Sequence, residues 1–360
     1  MTAPSQAEGR EPLSVALVGY GLSGRLFHAP FIAAVPGLDL RSVVTADPAR
    51  SSRARHDHPG VRVLRDVGQL WAESEAHDVV VVAAPTGNHG ALARSALERD
   101  LAVVVDKPLA RTAAEGRSIV ELASARGLAL TVFHNRRWDS DHLTVRALVA
   151  AGTLGTIVRY ESRMERWQPV LDRARWRERL SPEEGGGVLL DLGSHLVDQA
   201  LTLFGPVAGV YGEIASRRGG SDDECFLALA HRSGVRSHLS LGLVFARPGP
   251  RLRVIGDQGS FELEGVDGQE AALRGGALPD AVAFGLEPPE RWGTVWTGGP
   301  GAPVTSERGR WIEFYTGLER SLRDGAPLPV DPRDAIAGLA VLDAARRSSS
   351  TGEVTVPSDG

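Results

Sequence analysis

Residues 13–24 read LSVALVGYGLSG, and the RLFHAPFIAAV that follows completes the pattern on which the fold turns. Val15 to Val18 form a short apolar run of strand type, Gly19, Gly21 and Gly24 then take the positions of a G-x-G-x-x-G turn, and a helical stretch succeeds them. Strand, glycine turn and helix in that order are the context a dinucleotide-binding fingerprint requires. Gly19 permits the tight turn, Gly21 lets backbone approach a pyrophosphate, and Gly24 lets helix and strand pack closely. Tyr20, Leu22 and Ser23 complete the turn, and the helix N-terminus behind it offers free N–H groups to phosphate. The competing reading is a structural turn with no ligand, so the flanking chain has to discriminate.

Working outward, strand and helix alternate from residue 13 to residue 133. DLRSVVTADP reads as a second strand ending near Asp47, which lies 23 residues past Gly24 (47 − 24). An acidic residue at about that distance takes the ribose hydroxyl of NAD. Arg50, Ser51, Ser52 and Arg53 follow, a group suited to the extra phosphate of NADP, so both cofactors stand open with Asp47 leaning toward NAD. HDVVVVAAPTGNHGALARSALERD gives a buried-type strand, a turn at Pro85 and Thr86, and an amphipathic helix carrying His89 at its start. LAVVVDKPLA gives another strand, ending in Asp106, Lys107 and Pro108. Such alternation predicts a parallel sheet with right-handed crossovers, a Rossmann domain over residues 13–134. In doubly wound sheets the carboxyl ends of the strands face the ligand crevice, which puts Lys107 on its edge. Of the 40 basic residues 39 are arginine, and Lys107 is the single lysine. Arginine cannot replace a compact, proton-releasing ammonium. The count gains meaning only if Lys107 sits in a site.

Beyond residue 134 the pattern changes. VFHNRRWDSD leads into a helix over 142–151, and GTLGTIVRYESRMERW then alternates like a strand. VAGVYGEIAS, CFLALAH, VRSHLSLGLVF, RLRVIGD and SFELEG are spaced as an antiparallel meander. We therefore expect an α/β Rossmann domain followed by an α+β domain over 135–345 built on an open antiparallel sheet. A sheet with helices on one face only predicts a homodimer or homotetramer through the other. Residues 265–310, rich in Gly and Pro, read as a long excursion around the sheet. Closing helices are expected at 311–324 and 333–347, with 346–360 packing back on the fold.

Between these strands lies GGGVLLDLGSHLVDQA, residues 185–200. If a helix begins after Val188, Asp191 and His195 stand one turn apart on one face. A carboxylate beneath an imidazole can orient the ring for proton transfer. A buried polar pair that ties the helix to its neighbours is the equally plain alternative.

Composition narrows the classes. A length of 360 residues predicts two domains, and 42% apolar with 24% charged residues is ordinary for a globular protein. A net charge of −5 argues against nucleic acid as partner, and no apolar run is long enough for a membrane helix. The polar lead-in MTAPSQAEGREP, residues 1–12, is expected to be disordered, and it has no signal-peptide core. One cysteine, Cys225, excludes an internal disulfide and fits a reducing cytoplasm. A metal site would need His89, His134, Asp191 or His195, and no metal-ligand spacing supports one.

GYGLSG, APTGNH, DKPLA, HNRRWD and GGGVLLDLGSH in this order resemble the glucose–fructose oxidoreductase, inositol dehydrogenase and MocA (Gfo/Idh/MocA) family over nearly the whole chain. Within it, GYGLSGRLFHAPF, FHNRRWDSD and DLGSHLVDQALTLFG are most similar to bacterial scyllo-inositol dehydrogenases that use NADP. The resemblance implies an NAD(P)-dependent oxidoreductase acting on an alcohol or ketone of an inositol or sugar. It implies Lys107, Asp191 and His195 as the catalytic group, with Asp106 where relatives carry glutamate. It places Pro85 and His89 beside the nicotinamide and Asp198 on substrate hydroxyls. Asn135, Arg136, Arg137, Glu165, Arg166 and Trp167 are further candidates for a polyol. A glycosidase or keto-sugar reductase of the same family, and a dinucleotide sensor without catalysis, are the alternatives.

Overall fold

A computed structural model describes residues 10–358. Of the expected disordered lead-in, residues 1–9 lie outside the described chain. Arg10 to Pro12 lie beside the helix Ile312–Asp324, where the Arg323 guanidinium donates to the Glu11 carbonyl.

Six strands form the first sheet: β1 (Leu13–Val18), β2 (Leu38–Val44), β3 (Arg62–Leu64), β4 (Val79–Val82), β5 (Ala102–Asp106) and β6 (Leu130–Phe133). Their order is β3-β2-β1-β4-β5-β6, and every pairing is parallel. The reversal of direction between β1 and β4 is the topological switch point where such sheets bind dinucleotides. Strands covered on both faces become uniformly apolar, as the four buried valines of β4 show. Local signals set the helices between them: Thr112 caps the helix Ala113–Arg126 by accepting from the Glu115 N–H, and Gly127 ends it in the left-handed region at φ 65°.

The second sheet has eight strands: β7 (Ile157–Glu165), β8 (Val207–Ala215), β9 (Glu224–His231), β10 (Arg236–Gly242), β11 (Leu252–Gly256), β12 (Ser260–Leu263), β13 (Gly293–Trp296) and β14 (Ala302–Val304). The expected meander needs correction here. The order is β14-β13-β12-β11-β7-β10-β9-β8, and β7 is inserted between β11 and β10, pairing in parallel with β10. Spacing between strand-like runs reports turns, not insertion of an earlier strand, so the sheet is mostly antiparallel rather than wholly so. The stretch 265–310 also differs from a simple excursion. Its first part carries the short helix Gln269–Arg274 and docks on the first sheet's side, with Phe284 against Phe31. Its second part supplies β13 and β14, which extend the sheet edge.

Two helices join the halves. Leu189–Gly193 is a π-turn that runs into the helix Ser194–Phe204. Asp331 and Pro332 start the last helix, Pro332–Thr351, which passes unbroken through residue 346. After it, Thr355 exchanges backbone hydrogen bonds with Val210 of β8, adding a bridge to the sheet. Among the described residues no helix is long and apolar enough to cross a membrane.

Candidate active site

A cavity of about 1000 Å³ lies at the carboxyl ends of the parallel strands, and both halves of the chain line it. From the first half come Gly19 to Ser23, Thr45, Ala46, Arg50, Pro85, Asn88, Asp106 and Lys107. From the second come Arg166, Arg177, Asp191 and His195, among others.

The glycine turn fits a dinucleotide for steric reasons. Gly19 has φ 101°, and a Cβ on it would lie 2.5 Å from the Ala83 carbonyl oxygen. A Cβ on Gly24 would lie 2.0 Å from the Gly19 oxygen, so this glycine is where helix and turn touch. Gly21 differs: a Cβ there would meet only Arg50 Nη1 at 3.8 Å, which leaves its backbone open to the cavity. Ser23 donates to Asp106 Oδ2 at 2.6 Å, while the Lys107 N–H donates to Asp106 Oδ1 at 2.9 Å. Asp106 thus ties the glycine turn to the lysine. Burial opposes its ionisation, but His28 and Lys107 outweigh that and hold it below the usual carboxylate range.

Lys107 reaches across to the second half. Its Nζ donates to Asp191 Oδ1 at 2.8 Å and to the Asp191 carbonyl at 2.5 Å. Arg177 Nε donates to the same Oδ1 at 3.0 Å. Burial opposes the Asp191 charge, yet these two cations hold the carboxyl well below its ordinary range. Burial also lowers the Lys107 pKa below its ordinary 10.5, with the Asp191 charge working against that shift and Arg177 with it.

The expected contact between Asp191 and His195 is not made. Asp191 lies in the π-turn, whose wider coil shifts its phase relative to the regular helix that carries His195. The carboxylate turns to Lys107, and His195 Nδ1 is buried with no hydrogen-bond partner. Burial, followed by the positive charges of Lys107 and Arg136, holds His195 well below 6.5. It is a neutral imidazole at the cavity wall.

Several expected ligand-binding side chains stand elsewhere. Asp47 caps the helix Pro48–Asp57, accepting from the Ala49 and Arg50 N–H groups at 2.9 and 3.0 Å, and it does not line the cavity. Thr86 and His89 also lie behind the wall. His89 bridges two carbonyls, Pro108 at 2.7 Å and Ala84 at 2.8 Å, and so fixes the turn that presents Pro85. Asn135 and Arg136 do line the cavity, but Arg137 grips Asp198 with two bonds of 2.6 and 2.9 Å. Asp198 is therefore committed and outside the lining. Alternation along β7 explains the rest, since successive side chains leave a strand on opposite faces. Tyr160, Ser162 and Met164 point to the core, and Arg166 continues their side toward the cavity. Glu165 falls on the uncovered face, accepting from Ser240 Oγ at 2.5 Å and the Gly249 N–H at 2.8 Å. Trp167 shares that parity and is 56% exposed.

Arg177 was not singled out by the sequence. It stands in DRARWRERL, one of four arginines over 173–179, and only the fold brings it to Asp191.

A doubly wound parallel sheet with a glycine turn, joined to a second sheet across a shared cavity, defines an NAD(P)-dependent oxidoreductase. Residues 13–134 match the model of an oxidoreductase family with an NAD-binding Rossmann fold, and residues 142–262 match the GFO/IDH/MocA C-terminal domain. The chain belongs to the Gfo/Idh/MocA oxidoreductase family. It is 32% identical to scyllo-inositol 2-dehydrogenase (NADP(+)) IolW of Bacillus subtilis, with 94% of each chain covered. It is 34% identical to the oxidoreductase YdgJ of Escherichia coli, covering 92% of this chain and 94% of that one. The solved structure of the oxidoreductase yvaA from Bacillus subtilis superposes with a TM-score of 0.89 at 32% identity, covering 96% of this chain and 98% of that one. The enzyme is accordingly an oxidoreductase with an NAD-binding Rossmann domain.

Proposed function

We propose that the enzyme transfers hydride between NADP and a secondary alcohol or ketone of a polyol or sugar, with His195 as acid–base group and Lys107 as stabiliser of charge on the reacting oxygen. The observation that carries this reading is the Lys107–Asp191 contact at 2.8 Å inside the cavity that the glycine turn lines. An ammonium fixed there is a preorganised donor for an oxygen that gains negative charge. The nicotinamide supplies the hydride chemistry. In oxidation the hydroxyl proton goes to neutral His195; in reduction the protonated ring returns it to the carbonyl oxygen. Asp191 orients Lys107 and keeps it charged.

Support for NADP comes from the placing of Asp47 and Arg50. Asp47 spends Oδ1 on capping a helix and has Arg50 Nε 3.6 Å from Oδ2, while Arg50 lines the cavity beside Gly21. An arginine fork suits a phosphate. Arg50→Ala is expected to lower kcat/KM with NADP roughly tenfold or more relative to NAD. Unchanged cofactor selectivity in steady-state kinetics would remove the assignment.

An inositol is the first substrate to try, given the relative named above. Reduced-nicotinamide absorbance, followed with each cofactor against inositol isomers and common sugars, tests the reading. Bound cofactor without turnover on any polyol or sugar would point to a glycosidase or a sensor. Assembly through the uncovered face of the eight-stranded sheet, in a reducing cytoplasm, belongs to the same reading, and a monomer in sedimentation velocity would contradict that assembly.

A further inference from the structure

We propose that the substrate carries an anionic group, a carboxylate or a phosphate, seated against Arg166 and the free end of the Arg177 fork. This rests on the oxidoreductase reading above and names its substrate class more narrowly.

The argument starts from the charges around Asp191. Lys107 Nζ and Arg177 Nε share a single carboxylate oxygen, at 2.8 and 3.0 Å. The other arginines of that wall have their own partners. Arg136 pairs with Asp139 at 2.9 Å, and Arg218 pairs with Glu178 and Asp223 at 3.0 Å each. Arg166 has none: its guanidinium is exposed at the cavity wall and makes no ion pair or side-chain hydrogen bond among the described residues. It lies near enough to help hold Asp191 ionised. Three cations thus face one carboxylate, in a chain whose overall charge is −5. Local basicity of this kind is not inherited from the whole protein.

Hydrogen-bond capacity leads to the same class. Each hydroxyl of a neutral polyol donates as well as accepts, so its site must offer acceptors. Near Lys107 the carboxylates are mostly committed. Asp191 Oδ1 is engaged by two cations, Asp198 is locked by Arg137, and Glu165 lies on the other face of its strand, so Asp191 Oδ2, Asn135 and the His195 ring are the acceptors close by. Lysine and arginine donate only, and a carboxylate or phosphate accepts only. The Arg177 guanidinium also lies over the Trp176 ring at 4.4 Å, which fixes the plane of its two unused amino groups. A planar fork held in place suits bidentate capture of an anion. Arg50, beside Gly21, belongs instead to the cofactor half.

The test compares neutral sugars and inositols with acids and phosphates on the same scaffold: glucose, gluconate, glucuronate and glucose 6-phosphate, and myo-inositol with its monophosphate. Turnover is followed by nicotinamide absorbance, and binding to the cofactor-loaded enzyme by calorimetry. The anionic members are expected to be preferred by roughly 10- to 100-fold in kcat/KM or affinity. The larger gain, for acid or for phosphate, names the group. Arg166→Met should collapse that preference, and Arg166→Lys should keep part of it. A melting temperature equal to the parent's would show that the exposed side chain was not needed for folding. Neutral compounds bound and turned over as well as their anionic partners, or a preference untouched in Arg166→Met, would overturn the seat. Anion binding that depends on Arg166 without turnover of any alcohol would uphold the seat and overturn the oxidoreductase reading instead.

Discussion

Replacing Lys107 with methionine is expected to lower kcat about a thousandfold, corresponding to about 4 kcal/mol of transition-state stabilisation. The loss falls on kcat because the ammonium matters most when the substrate oxygen bears charge, not when it is a neutral hydroxyl. Lys107→Arg should not restore the rate. The lysine directly follows β5 with a side chain only 11% exposed and is aimed at Asp191, and a planar fork cannot occupy the volume of a single nitrogen. The parent should also lose activity as pH rises through the depressed Lys107 pKa, below the ordinary 10.5, because the ammonium gives up its proton there. In Lys107→Arg that alkaline limb should vanish, since guanidinium stays charged. Steady-state kinetics across pH decides the matter. A Lys107→Met enzyme within a factor of ten of the parent would mean that Lys107 serves the architecture and not the oxygen.

The single lysine among 40 basic residues was a sequence observation whose meaning only the fold supplies. Period, glycine spacing and apolar runs sufficed for the Rossmann half, because there each strand follows its neighbour by a local crossover and the turn chemistry is written in consecutive residues. The second sheet was legible as strands but not as an order. Placing β7 between β11 and β10 joins residues 157–165 to partners 77 to 99 positions later, and no local pattern records such a pairing. The site divides in the same way. Lys107, Asp191 and His195 stood out because they are polar residues in apolar surroundings. Their mutual geometry did not, since a π-turn and a regular helical turn look alike in GGGVLLDLGSH. Glu165 and Arg166 were equal candidates in sequence; strand alternation sends one to the sheet's uncovered face and the other to the cavity. Arg177 was hidden among similar neighbours for the opposite reason, an excess of arginine.

His195→Asn is expected to lower kcat by roughly 10²- to 10⁴-fold, the range of a lost general acid–base group. The pH dependence makes the assignment specific. Burial and the charges of Lys107 and Arg136 depress the His195 pKa well below 6.5, so the ring is neutral and ready to accept a proton throughout the neutral range. Alcohol oxidation should therefore hold its rate as pH falls past 6.5 and lose it only when the ring at last protonates. Asparagine cannot titrate, so the variant's residual rate should lack that acid limb. Asp191→Asn provides the contrast, because the structure pairs Asp191 with Lys107 and leaves His195 Nδ1 without a partner. Removing the carboxylate withdraws the charge that opposes Lys107 deprotonation, so the alkaline limb should move to lower pH. If Asp191→Asn shifted the acid limb instead, the carboxylate would be acting through the imidazole, and the division of labour between lysine and histidine drawn from this geometry would be wrong.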